Sequence, residues 1–329
     1  MRGDPPAVDA PAPVTLPRTR RLGDRVGDGV LYAVTAAAAT LAVLVVIAIA
    51  WKLVDGARPA MSRFGLGFVV EQAWNPVTGD FAALDFVFGT VLTSLGAVLL
   101  AAPLSIAIGL YLSELAPRGV RGVVGSLVEM LAAIPSVVLG LWGILVLGPF
   151  VAHHLGPFLG RWLGWTPLFS GDPAQNGSGQ LTAVLVLTIM VVPITSAVCR
   201  ELFLSVPREL EDGAIALGAT RWEMVRDVVL QFTRGGVVAA VILGLGRAIG
   251  EAIAVTQVIG GQTGIHWSLF ATGDTLASRI AAQYQGAATG LQVASIVYLA
   301  AILLAISLVT NFVAQLIVRR FEFQRTGGA

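Results

Sequence analysis

Charge is scarce in this sequence. Of 329 residues only 12% are Asp, Glu, Lys or Arg, about half the ~25% of an average soluble domain, which argues against a soluble globular protein. A single cysteine, Cys199, excludes an internal disulfide. Lysine is just as rare: Lys52 is the one lysine among 21 basic residues, and the rest are Arg. A Walker-type phosphate loop needs Gly-x4-Gly-Lys-Ser/Thr, whereas Lys52 stands in Ala-Trp-Lys-Leu, so the chain is not a P-loop ATPase. The three histidines, His153, His154 and His266, lack carboxylate or cysteine companions at ligand spacing, and no metal site is expected. No Ser, His and Asp constellation suggests an intramembrane hydrolase.

What the chain has instead is long apolar runs. Hydrophobic residues make up 56% of it and the mean hydropathy is +0.81, as expected for segments of about 20 apolar residues that cross roughly 30 Å of hydrocarbon. Charge-free runs extend over Val30 to Trp51, Phe86 to Ser113 and Leu181 to Cys199. Three more run from Gly122 to about Gly148, broken by Glu129, from about Gly235 to Gly260, broken by Arg247 and Glu251, and within Leu291 to Val318. Six transmembrane helices are the simplest reading.

The expected organisation is a disordered tail over 1–29, a first membrane anchor over 30–54, an outside loop over 55–85, five further helices over 86–318 and a tail over 319–329. Pro5, Pro6, Pro11, Pro13 and Pro17 with scattered charge leave the first segment no core to bury. It lacks the short apolar region of a secretory signal, so the first span reads as a retained anchor. Six spans put both termini on one side. Fifteen arginines fall on that side and five basic residues on the other, with Arg247 inside a span, so both termini are expected in the cytoplasm.

The segment Val206 to Leu230 reads as a helix, a Gly turn and a second helix. Pro207 suits a first turn, and Glu209, Glu211 and Asp212 favour the positive end of the helix dipole. Gly218 can take the left-handed cap conformation. Leu210, Ala214 and Leu217 recur at three- and four-residue spacing, one apolar stripe on a charged helix, which suits a membrane surface or a partner's groove.

This segment resembles the cytoplasmic loop of bacterial ABC-importer permeases, Glu-Ala-Ala-x3-Gly followed by Ile-x-Leu-Pro. Asp212, Gly213 and Ala214 stand at the Glu-Ala-Ala positions, Gly218 matches the Gly, Val228 and Leu230 match Ile and Leu, and Gln231 replaces Pro. Two other stretches narrow the resemblance to the phosphate permeases of that class. They are Ser113-Glu-Leu-Ala-Pro117 leading to Leu131-Ala-Ala-Ile-Pro-Ser-Val-Val-Leu-Gly-Leu-Trp-Gly143, and Leu245-Gly-Arg-Ala-Ile-Gly-Glu251.

The resemblance implies an all-α, MetI-like inner-membrane permease that pairs with a second permease subunit to enclose a phosphate path. It implies an ATP-binding subunit dimer docked through Glu211, Asp212, Gly213, Ala214, Leu217 and Gly218, and an extracytoplasmic phosphate-binding protein. ATP and Mg would bind to the ATPase partner, leaving this chain without a cofactor or enzymatic activity. Its other surroundings would be membrane lipid, with no nucleic acid. A permease for another oxyanion, molybdate or sulfate, is the nearest rival. A secondary transporter would carry internal repeats and intramembrane coupling-ion sites, and no repeat is evident.

Arg247 and Glu251, four apart in one span, share a helix face. An Arg at the bilayer centre costs roughly 2.5–3.5 kcal/mol on insertion scales, so such groups face a bundle interior or a wet cavity. Glu129 is the other charge expected within a span and a second possible partner for Arg247. Two roles are open: the pair locks helices together, or Arg247 offers a planar donor fork to an oxyanion while Glu251 or Glu129 holds it. Gly246-x3-Gly250 reads as a helix-packing surface. Pro103, Pro135 and Pro193 are expected as kinks inside spans.

Overall fold

The computed structural model describes the backbone of residues 22–326 and the side chains of residues 27–319 other than Arg118. It is helical nearly throughout: α1 (Leu22–Phe64), α2 (Leu84–Leu115), α3 (Arg118–Ala132), α4 (Ser136–Leu163), α5 (Gln180–Leu204), α6 (Arg208–Ala216), α7 (Arg221–Gly250), α8 (Ile253–Val258), α9 (Leu276–Gln283) and α10 (Gly290–Thr326). Six of these, α1, α2, α4, α5, α7 and α10, are long and apolar enough to cross a membrane. The only paired strands among the described residues are β1 (Trp74–Asn75) and β2 (Asp80–Phe81), antiparallel with Trp74 opposite Phe81.

Contacts divide the chain into two units, residues 1–51 and 52–329. In the first, the helix already runs from Leu22, so residues 22–29, expected in the tail, are helical; residues 1–21 lie outside the described residues. Helix continues past the expected end of the anchor to Phe64, and at the far end of the chain to Thr326.

In the second unit α5 is the central helix, with 61% of its apolar window buried. Small residues bring its neighbours close. A Cβ on Gly96 of α2 would lie 3.1 Å from Val184, and one on Gly244 of α7 would lie 2.7 Å from the Thr195 hydroxyl and 2.8 Å from Val191. Two buried threonines of α5 are satisfied locally: Thr188 donates to the Val184 carbonyl at 2.7 Å and Thr182 to the Gly177 carbonyl at 2.6 Å. Near the N-terminal end of α2, Phe68, Phe81, Phe86, Leu276 and Leu299 form a separate core, with Phe68 stacked on Tyr298 at 4.3 Å. A ring such as Phe68 contributes about 1.5–3 kcal/mol there by leaving water.

The third span departs from expectation. The run from Gly122 is two helices, not one, because Pro135 has no N–H to continue α3 and drives Ile134 out of helical geometry. The Met130 and Leu131 carbonyls are taken instead by the Ala133 and Ile134 amides in a tighter turn, and Pro135 caps the start of α4. The long span is therefore 136–163, and Glu129 belongs to the preceding helix. Pro103 and Pro193, by contrast, do sit inside α2 and α5. The fifth span is also shorter than its apolar run: it stops at Gly250, Glu251 is extended (φ −73°, ψ 118°), and helix resumes as α8.

Candidate functional site

The loop between α5 and α7 folds as its residues predict. Helix α6 follows Pro207 and ends in a Schellman turn: the Gly218 amide donates to the Ile215 carbonyl at 2.9 Å and the Ala219 amide to the Ala214 carbonyl at 3.1 Å. Gly218 holds φ +91°, a conformation only glycine adopts without strain. Two residues on, Thr220 and Glu223 form a reciprocal capping box that starts α7. The Glu223 carboxylate accepts from the Thr220 amide and hydroxyl, both at 2.8 Å, and these bonds hold its pKa below the usual carboxylate value.

The expected apolar stripe on α6 is divided. Ala214 packs inward against the core of Phe203, Val206, Val225 and Val229, while Leu210 is 46% exposed and Leu217 92% exposed. Asp212, Gly213 and Gly218 are exposed as well, and Glu211 is half-buried. Partial burial raises the pKa of Glu211, and Glu114 at the end of α2 raises it further against the pull of Arg208. That end of α2 is a π-helical turn, Tyr111–Leu115, held by Arg121, which donates to the Ser113 carbonyl. One face of the loop thus anchors to the bundle, and the other, with Leu217 and the 67% exposed Trp222, is open.

The second site lies one to two turns along α7 from the level of the middle of α5. Helix α5 is centred on Val192, and Gly244 packs on Val191 and Thr195 to either side of that point. Arg247 and Glu251 follow within two turns, and Ala248 between them packs with Val191 and Ala101. Arg247 Nη2 stands 3.2 Å from Glu251 Oε2, with the carboxylate side chain 5% exposed and the arginine 46% exposed. Glu251 also accepts the Ala254 amide at 3.2 Å, so the same carboxylate bridges the broken helix and restrains the guanidinium. The fork itself faces outward from the chain. Glu129 is not its partner: it is exposed on α3 and lines a small crevice with Ser196 and Arg200, one to two turns nearer the coupling loop.

Non-helical backbone at this depth persists only where it is buried or lines a cavity. The break at Glu251 is buried, whereas Ala133 and Pro135 at the other break are exposed; beyond them α4 and α8 touch, since a Cβ on Gly140 would lie 2.8 Å from the Ala254 Cα, and Gln257 donates to the Val137 carbonyl at 3.4 Å. The stretches 136–143 and 253–258 are thereby brought side by side. A Cβ on Gly246 or Gly250 would meet nothing within 4 Å, so this pair packs on no other helix among the described residues.

Sequence reasoning missed one cluster at the N-terminal end of α5. Arg279 and Asp274, 8% and 5% exposed, form an ion pair with Nε 2.7 Å from Oδ2. The approach is too bent for a hydrogen bond, since Nε lacks one. Arg279 also donates to the Gly261 carbonyl at 3.1 Å and lies 4.7 Å from the Phe86 ring centre. Burial raises the Asp274 pKa, opposed by Arg279 and by bonds from Ser278 and the Thr275 amide. Asp85 ties the same loop to α2 by accepting the Gly264 amide at 2.7 Å. The Thr275-x-x-Ser278 box is the only local signal that order begins there.

Residues 101–323 match the family of binding-protein-dependent transport system inner membrane components. The phosphate transport system permease protein PstC of Mesorhizobium japonicum is 40% identical over 91% of this chain and 92% of its own length. PstC of Pasteurella multocida is 39% identical over 94% and 97%, and PstC 1 of Mycobacterium tuberculosis is 40% identical over 79% and 78%. Among solved structures, a bacterial alginate ABC transporter in complex with an alginate pentasaccharide-bound periplasmic protein aligns over 90% of this chain and 97% of its own, at 18% identity and a TM-score of 0.57. The inward-facing MetNI methionine ABC transporter aligns over 72% and 94%, at 19% identity and a TM-score of 0.52. These two establish the fold alone, a helical ABC-transporter permease fold. With the family match covering most of the membrane core and PstC proteins alike over nine-tenths of the chain, this multi-pass membrane protein belongs to the PstC group of binding-protein-dependent inner-membrane permeases.

Proposed function

We propose that this chain is a permease subunit of an ATP-driven importer that carries inorganic phosphate across the inner membrane, and that Arg247 is the group that receives the anion. The observation that carries the role of Arg247 is its setting: a half-exposed guanidinium in the last turn of an apolar span, held from one side by a buried carboxylate at a helix break. A guanidinium presents paired donors that match an oxyanion. Glu251 occupies only one edge of it, fixes its direction and competes for it, so that phosphate is bound and released rather than trapped.

The open side of Arg247 faces away from the chain, which suits a path completed by a second permease subunit. The exposed face of α6, with Leu217 and Gly218, suits docking of an ATP-binding subunit that holds ATP and Mg; closure of that subunit dimer must favour one state of the permease pair, since a ligand shifts an equilibrium only by its differential affinity. An extracytoplasmic binding protein would deliver phosphate at the opposite face, with both termini of this chain in the cytoplasm. The test is uptake of labelled phosphate by proteoliposomes holding the chain with its partner subunits. ATP-dependent uptake that unlabelled phosphate suppresses and sulfate does not is expected. Uptake of sulfate or molybdate in preference to phosphate would overturn the assignment.

A further inference from the structure

The cleft between α7 and α10 holds polar groups that the Arg247–Glu251 pair does not use. Asn311, Gln315 and Arg319 follow one another every four residues on α10 and line a single cleft of about 410 Å³, walled on the α7 side by Ala239, Ile242 and Leu243. The first two are exposed amides in an otherwise apolar span, and no hydrogen bond or ion pair to a described residue involves any of the three. An amide left in hydrocarbon without a partner costs roughly 2–7 kcal/mol. Two of them on one stripe therefore mark a surface that meets water or a polar ligand rather than lipid tails.

The depth of the cleft connects it with the ion pair. Leu243 adjoins Gly244, which packs at the centre of α5, and Arg247 is the next turn of the same helix. At the other end Arg319 directly follows Val318, the last residue of the apolar run. The cleft thus begins one turn from Arg247 and ends at the coupling-loop face of the membrane. Among the described residues its lining contains no carboxylate. Two neutral amides and then a guanidinium, spaced by about 6 Å, can donate hydrogen bonds to a multiply charged oxyanion at successive levels. Neutral donors bind it less tightly than Arg247 does, and so let it move on.

We infer that this cleft is the leg of the phosphate route between Arg247 and the coupling-loop face, with Asn311 and Gln315 donating to the anion and Arg319 at the mouth. The inference rests on the reading of Arg247 as a phosphate site. It is tested in the complex with all partner subunits, in a Cys199→Ala background that retains uptake. In proteoliposomes, Asn311→Cys and Gln315→Cys are expected to react with a membrane-impermeant thiol reagent applied from the coupling-loop face, and inorganic phosphate should slow the reaction. Asn311→Leu with Gln315→Met, which keep volume and remove the donors, should lower phosphate uptake about tenfold per side chain, the worth of one hydrogen bond to a charged group, with unchanged recovery of partner subunits.

Unreactive cysteines, or wild-type uptake in the double variant, would overturn the inference. So would cross-linking of Gln315→Cys to the second permease with normal uptake, which makes the stripe a helix–helix contact. If the wild-type complex carries a different oxyanion, the phosphate reading fails on its own; protection of the two cysteines by that ion would still support the cleft as its route.

Discussion

Neutralising the Arg247–Glu251 pair separates a structural role for Arg247 from a transport role. Its single Nη2···Oε2 contact of 3.2 Å gives about 5 kcal/mol at an effective dielectric constant of about 20. The arginine is 46% exposed, so screening on its open side removes a good part of that. Breaking a fully buried pair costs about 3–5 kcal/mol, and the half-open geometry places Arg247→Gln below that range, at about 2–3 kcal/mol. Glu251 would keep only the Ala254 amide. Adding Glu251→Gln removes the stranded charge while leaving an oxygen to accept that amide, so the double variant should regain most of the thermal stability of the purified complex. Phosphate uptake should not return, because nothing remains to receive the anion. Arg247→Lys should retain part of the stability and transport poorly, as a point charge does not reproduce the fork. The assay pairs the thermal midpoint of the assembled complex with labelled phosphate uptake. Wild-type flux in the charge-neutral double variant would refute the transport role and leave the pair as a helix lock.

Gly218→Val should impose about 1–2 kcal/mol of left-handed strain on the turn and weaken ATPase docking and uptake, whereas Gly218→Asn should be milder; no Cβ clash arises at this position, so equal effects in pull-down and uptake assays would mean that backbone strain is not the cause. The purified chain should hydrolyse no ATP, and activity that survives removal of every partner subunit would contradict this. Arg279→Met should destabilise the loop held by Asp274 and make that loss pH-dependent. Burial already places the Asp274 pKa above its ordinary value, so the folded state binds the extra proton and stability falls as pH rises from the ordinary value through the raised one. Without Arg279 the window extends higher, and acidification should recover more of the thermal midpoint than in wild type; identical pH profiles would contradict it.

The spans α2, α5 and α10 were legible because a membrane segment must omit charge, and the sequence omits it over those stretches. The coupling loop was legible because its signals are local: Pro207, a single glycine and the acids of one short helix. Pro135 was not, since Pro103 and Pro193 in similar apolar surroundings remain inside their helices. What distinguishes it is the contact of the following turn with α8, more than a hundred residues on, where Gln257 reaches the Val137 carbonyl. Glu129 was misplaced for the same reason. The cluster of Asp85, Asp274 and Arg279 was hidden because its members meet only once α2 and the loop before α10 are packed, through contacts such as Gly89, where a Cβ would lie 2.0 Å from the Asp274 carbonyl oxygen.

The two sites are joined by the shape of α7. Its first turn is fixed by the capping box at Thr220, immediately after the Schellman turn, and helix then runs without a gap from Arg221 to Gly250, ending one residue before Glu251. If an ATP-binding subunit docks on this turn, as proposed, a shift there reaches Arg247 through continuous helix rather than through a loop that could absorb it. The π-helical turn at Met224–Val229 is the one irregular stretch before the membrane part of this helix, and it is packed in the core with Ala214 and Phe203. At the other end the chain does have a joint. The break at Glu251 leads directly into α8, so rotation of α7 can change the direction of the guanidinium while α8 stays packed on α4. On the proposed role of Arg247, this puts the joint about one helical turn from the group that receives the anion, where a movement started at the loop would act on it.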